Sequence, residues 1–151
     1  MKTNRMKMNY LKIRGVSLAE LIIVMVIIAI LTVIALPAYS NYVSRNKLTV
    51  AVANLQDLRL RMEQFYQDNR TYMNNDGDAC AIDMPALENF TISCTGITRT
   101  TYTLSAVNKS GVGLGDPGDY EYTIDEDGNM ATVIFKGSSV NKPCLTVSNK
   151  C

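Results

Sequence analysis

Glu20 is the only charged side chain between Gly15 and Ser44. It lies near the start of an apolar run, residues 18–38, in the stretch GVSLAELIIVMVIIAILTVIALPA. A carboxylate held in a membrane-length apolar segment costs about 2.5–3.5 kcal/mol when centred. It needs a partner, and the run itself offers none. The chemistry on offer is recognition, a carboxylate waiting for a cation from elsewhere, rather than bond breaking.

Other reactive groups are sparse. Histidine is absent, which removes the commonest general base and metal ligand. A Ser or Cys nucleophile therefore lacks its usual base, and no phosphate loop or paired-acid motif occurs. The chain reads as a non-enzyme without a cofactor. Asp116, Asp119 and Asp125–Asp127 form an acidic group with the oxygen ligands calcium takes, but without EF-hand spacing; a solvated turn is the better reading, and no metal is expected. The four cysteines, Cys80, Cys94, Cys144 and Cys151, contain no CxxC pair, so two disulfides in an oxidising compartment fit better than zinc. Three pairings are possible. Cys80–Cys94 and Cys144–Cys151 are preferred because each closes a short, turn-rich loop, contributing about 2–3 kcal/mol by loop entropy.

The elements that position these groups follow from charge and periodicity. Residues 1–15 carry five basic side chains and no acid, leaving ten basic residues against 14 acids beyond them, a net of about −4. A basic flank stays cytoplasmic, and a mildly acidic body does not suggest nucleic-acid binding. The apolar run is too long for an ordinary secretory signal, and no clear Ala-x-Ala cleavage site follows it. About 21 helical residues span roughly 30 Å, enough for a bilayer. Pro37 stands at the far end, where it disturbs the helix, and Tyr39 and Tyr42 fall where the membrane–water border would lie.

Beyond Asn46, Leu48, Val52, Leu55, Leu58, Met62 and Phe65 recur at spacings of three and four, one apolar stripe on a helix that continues to about Tyr66–Gln67. Asp57 and Arg61 stand at i,i+4 as a helix support, and Arg59 reads as solvated or helix-supporting. Residues 68–89 are loop-like. Alternation predicts strands at 90–95, 102–106, 120–124 and 130–135, the last two joined through a turn at Asp127-Gly128. Residues 136–151 form a tail. The sum is an α+β chain: a long N-terminal amphipathic and transmembrane helix packed on a roughly four-stranded antiparallel sheet.

The stretch GVSLAELIIVMVIIAILTVIALPAYSNYV closely resembles the amino-terminal signature of type IV pilins, and LRLRMEQFYQDNRTY, residues 58–72, is similar to the end of the long helix in the minor-pilin branch. The resemblance implies cleavage by a prepilin peptidase after Gly15 and N-methylation of Val16. It matches Glu20 to the family's assembly glutamate and Pro37 to its helix-disturbing proline. It also makes Cys144–Cys151 look like the disulfide around the family's carboxy-terminal loop. Val16 stands where most members have Phe, and Ala29 near where many have Gly. Cleavage would create an amine at Val16, four residues from Glu20, so Glu20 of one subunit can pair with the Val16 amine of a neighbour in a helical bundle.

These features divide the chain into a cleaved leader (1–15), a transmembrane and assembly segment (16–45) and a globular domain (46–151). They imply a structural subunit, a minor pilin, that serves pilus biogenesis, motility, adhesion or DNA uptake. Its partners would be the prepilin peptidase, other pilins and the assembly platform of the inner membrane. It would sit in that membrane with its globular domain periplasmic and then pass into the extracellular pilus. A type II secretion pseudopilin is the nearest alternative, and the terminal cysteine pair argues against it. A pilus-associated adhesin or DNA-binding pilin would need an exposed basic or aromatic patch, which an acidic body supports little; no nucleic-acid partner is expected.

Overall fold

The computed structural model describes residues 15–148. One helix, α1 (Leu18–Asn69), is followed by five strands: β1 (Phe90–Thr95), β2 (Thr103–Asn108), β3 (Tyr120–Asp125), β4 (Met130–Phe135) and β5 (Ser138–Lys142). By internal contacts the chain divides between Tyr39 and Ser40, while the sequence pattern changes near residues 45–46.

The first unit is apolar and open. From Gly15 to Tyr42 every side chain is exposed. No packing within this segment explains its helicity; unbranched and branched aliphatics without Gly let it wind, and Pro37 lies inside it, where the missing N–H removes one i→i−4 bond.

The second unit has the core. Along α1, Leu48, Ala51, Leu55, Leu58 and Met62 are buried. Ala51 takes the place expected for Val52, which is half-buried beside it, because alternating steps of three and four from Leu48 select Ala51. The helix ends two residues later than its periodicity suggests: Arg70 turns left-handed (φ 56°) and its N–H donates to Tyr66 O at 2.8 Å, a capping conformation that halts further winding.

The stripe meets an all-antiparallel sheet in the order β1-β2-β3-β4-β5, each strand beside its chain neighbour. Alternation places Phe90 and Ile92 of β1, Leu104 and Ala106 of β2, and Tyr120, Tyr122 and Ile124 of β3 in the core. On β4 the buried residues are Thr132 and Phe135, three apart. Tyr120 pairs with Phe135 and Tyr122 with Thr132, so Val133 is an extra residue, a bulge that resets which residues face inward.

β5 adds a fifth strand within the expected tail. It is polar and mostly exposed, so it carries no alternation to read. Its entry turn is Lys136-Gly137, with φ of 53° and 71°, between the paired residues Phe135 and Ser138. Two successive positive φ values make the two-residue hairpin turn that usually takes Asn-Gly.

Shortening the stripe at its centre tests this packing. Leu55→Ala should cost about 2–5 kcal/mol in denaturant unfolding of the detergent-solubilised chain, whereas Leu60→Ala, on the exposed face, should stay within about 0.5 kcal/mol. Equal losses would place the stripe elsewhere.

Candidate functional site

The residues singled out for assembly sit together at the start of the apolar helix. Gly15, Val16 and Ser17 precede α1 in non-helical backbone, and Leu21 N donates to Ser17 O at 3.2 Å as helix hydrogen bonding begins. Val16 is 69% exposed. Glu20 is exposed in the first turn, where unpaired backbone N–H groups favour an anion. Within this unit no side-chain cation among the described residues accompanies it. The arrangement is a helical surface of exposed aliphatic side chains bearing one carboxylate near its beginning, suited to packing against other apolar helices or lipid.

Two disulfide expectations meet different ends. Cys80 and Cys94 are joined, tying the loop after α1 to β1 beside the bridge Met73–Cys80. Cys144 is also disulfide-bonded; its preferred partner Cys151 lies outside the described residues.

The acidic residues of the turns are engaged by backbone. Asp119 Oδ2 accepts from Asp116 N at 2.8 Å, and Asp125 Oδ1 from Asn129 N at 2.8 Å. No grouping of three or more metal-ligating side chains occurs among the described residues.

Two polar arrangements were not apparent from sequence. Glu63 Oε1 accepts from Tyr72 Oη at 2.9 Å and from Tyr102 Oη at 3.5 Å, while Glu126 Oε2 accepts from Tyr102 N at 3.1 Å. Tyr66 stacks on Tyr72, whose edge meets Tyr102. This cluster joins the end of α1 to the loop that follows it and to the residue that leads into β2. Its only sequence signal was Glu63 beside the buried position Met62. Arg59, read as solvated or helix-supporting, is half-buried and lies over the β3–β4 turn, with Nε buried and unpaired among the described residues. Gly128 (φ 80°) makes room: a Cβ there would come within 2.8 Å of Arg59 Nη2. Arg61 pairs with Asp57 at 2.9 Å on the exposed face.

The family described as "Type IV minor pilin ComP, DNA uptake sequence receptor" matches residues 37–117, more than half of the chain. This chain belongs to the type IV minor pilin family. The matched region of this minor pilin holds the stripe, the loop, β1 and β2. A probable minor fimbrial protein of Dichelobacter nodosus is 39% identical over 69 residues, 46% of this chain and 43% of its own length. The type IV major fimbrial protein FimA of Dichelobacter nodosus (strain VCS1703A) is 35% identical over 63 residues, 42% of this chain and 39% of its own. Each match thus spans less than half of the relative. Among solved structures, the Neisseria meningitidis non-core minor pilin PilV aligns with a TM-score of 0.52 at 18% identity, covering 69% of this chain and 95% of that one; the likeness is one of fold.

The buried tyrosines give the pilin domain a pH signature. Burial, the largest cause, raises the phenols of Tyr72, Tyr102 and Tyr122 well above their ordinary value; Glu63 raises Tyr72 and Tyr102 further, and Tyr120 adds to the shift of Tyr122. The folded state holds these protons where the unfolded chain releases them. Their contribution is therefore complete below pH about 10 and lost as pH rises beyond it. Unfolding free energy should fall above pH about 10, with a shallower fall in Tyr122→Phe; a flat profile across that range would refute the assignment.

Proposed function

We propose that this minor pilin is a structural subunit of a type IV pilus, assembled through the apolar segment of α1 after removal of residues 1–15. The observation that carries the reading is that segment itself: aliphatic, exposed on every side, and bearing Glu20 as its only charge. Such a helix is stable only in lipid or against other apolar helices. Before assembly it anchors the subunit in the inner membrane, with the globular domain on the periplasmic side. The peptidase cut after Gly15 frees an amine at Val16, which then becomes N-methylated. In the filament Glu20 pairs with the Val16 amine of a neighbour, and Pro37 loosens the helix near the end of the apolar segment. In this reading the chain is a substrate of the prepilin peptidase, not an enzyme, and the assembly platform is its further partner.

Intact-mass measurement on sheared filaments tests this: the subunit should lack residues 1–15 and carry one extra methyl. Glu20→Ala should be processed normally yet be depleted from filaments by about tenfold or more, the loss of one desolvated ion pair. Unchanged incorporation would refute the pairing.

A second reading, a pilin that receives DNA, is supported by the family's own description, which names a DNA uptake sequence receptor. The charge balance of the body counts against it. That balance predicts retention no tighter than the weak end of non-specific binding, a dissociation constant on the order of 10⁻⁴ M or above at physiological salt. Sequence-selective binding several orders tighter, measured across a salt series, would establish the receptor reading instead.

A further inference from the structure

Within the second unit, a pocket of about 320 Å³ opens between α1 and the β4–β5 turn, within the size range of small-ligand sites. Asn41, Ser44 and Arg45 line it from one face of the helix, and Tyr120, Phe135 and Lys136 line it from the sheet. No Asp or Glu is among its described lining residues. Neither Arg45 nor Lys136 has an ion-pair partner among the described residues; Lys136 lies only at the outer limit of a contact with the Phe135 ring, 6.0 Å from its centroid. Lys136 occupies a left-handed position, φ 53°, where a residue with a Cβ is disfavoured and Asn or Gly is usual. Two cations, one of them in a left-handed turn, thus line one pocket together with two aromatic rings. Such a site takes an anion with several acceptor oxygens.

Sequence position says which anion. Arg45 is the first charged side chain after Glu20 and follows Tyr39, the end of the first unit, by six residues. Six helical residues rise about 9 Å, and the headgroup layer is about 5–8 Å deep on each side of the hydrocarbon. The Arg45 backbone thus comes at the outer edge of that layer, and its long side chain reaches back to phosphate depth while the apolar segment is in lipid.

The geometry points to a seat for the phosphate of an anionic phospholipid, formed by Arg45 and Lys136, with Asn41 and Ser44 as polar neighbours. It holds the subunit at the membrane surface until assembly withdraws it. The inference rests on the membrane-anchored reading above.

The test uses the full-length chain in nanodiscs of phosphatidylcholine mixed with phosphatidylglycerol, with retained lipid counted by native mass spectrometry. Carbonate extraction of the same variants from membranes runs beside it. Wild type should retain phosphatidylglycerol selectively. Arg45→Gln and Lys136→Asn should each lower that selectivity about fivefold and the pair on the order of twentyfold, with Arg61→Gln unchanged. Asn suits the left-handed turn, so the Lys136 variant keeps the fold. Carbonate-resistant double variants with wild-type lipid selectivity would overturn the seat and leave the anchor standing. A wild-type chain released by carbonate would overturn both. Displacement of lipid by equimolar inorganic phosphate would make this a free-phosphate site. Stronger displacement by duplex DNA would assign the surface to nucleic acid, and either result overturns the lipid assignment.

Discussion

A single helix must be stable in two surroundings, and the rest of the chain is arranged around that demand. Over residues 18–39 α1 offers aliphatic side chains in every direction, which water does not tolerate and an apolar medium does. Over its later turns it offers one stripe, Leu48 to Met62, and the sheet exists to cover that stripe. Charge follows the same division. It is almost excluded from the first stretch, returns at Arg45, and thereafter lies mostly on exposed faces and in turns, with Arg59 and Glu63 half-buried on the helix.

The parts visible in the sequence are those whose physics is local. The apolar run, the helical stripe and the alternation of β1 to β4 each repeat within a few residues, so pattern alone reveals them. Cys80 and Cys94 are 14 residues apart, and so short a loop favours their pairing from sequence alone. What escaped depends on neighbours distant in the chain or on polar chemistry without a period. β5 is a polar edge strand, recognisable only through its partner β4. The bulge at Val133 changes which β4 residues face inward without altering their types. Glu63 meets Tyr102 across 39 positions, and Arg59 depends on a glycine in a hairpin far along the chain. Arg45 and Lys136 are ordinary surface residues until the fold brings them to one pocket.

The polar interior is resolved by pairing rather than avoided. Asn108, almost fully buried, donates to Asp116 O and accepts from Tyr120 N, so one side chain fixes both ends of the glycine-rich loop between β2 and β3. Thr132 donates to Cys144 O and accepts from Thr146 N, and Tyr122 donates to Thr146 O. The carboxy-terminal segment is thereby pinned to the middle of the sheet. Groups of this kind cost free energy if left unmet and specify geometry when met.

The strand order has a kinetic consequence. Each strand pairs only with the next, and the connections are single loops or turns, so no strand waits for a distant partner before the sheet can grow. Short-range pairing lowers the entropic barrier to folding and speeds it. A domain arriving behind a lipid-seeking helix can therefore build its sheet hairpin by hairpin, hiding its strand edges early. The interval in which an incomplete sheet is open to joining its neighbour's edge is correspondingly brief.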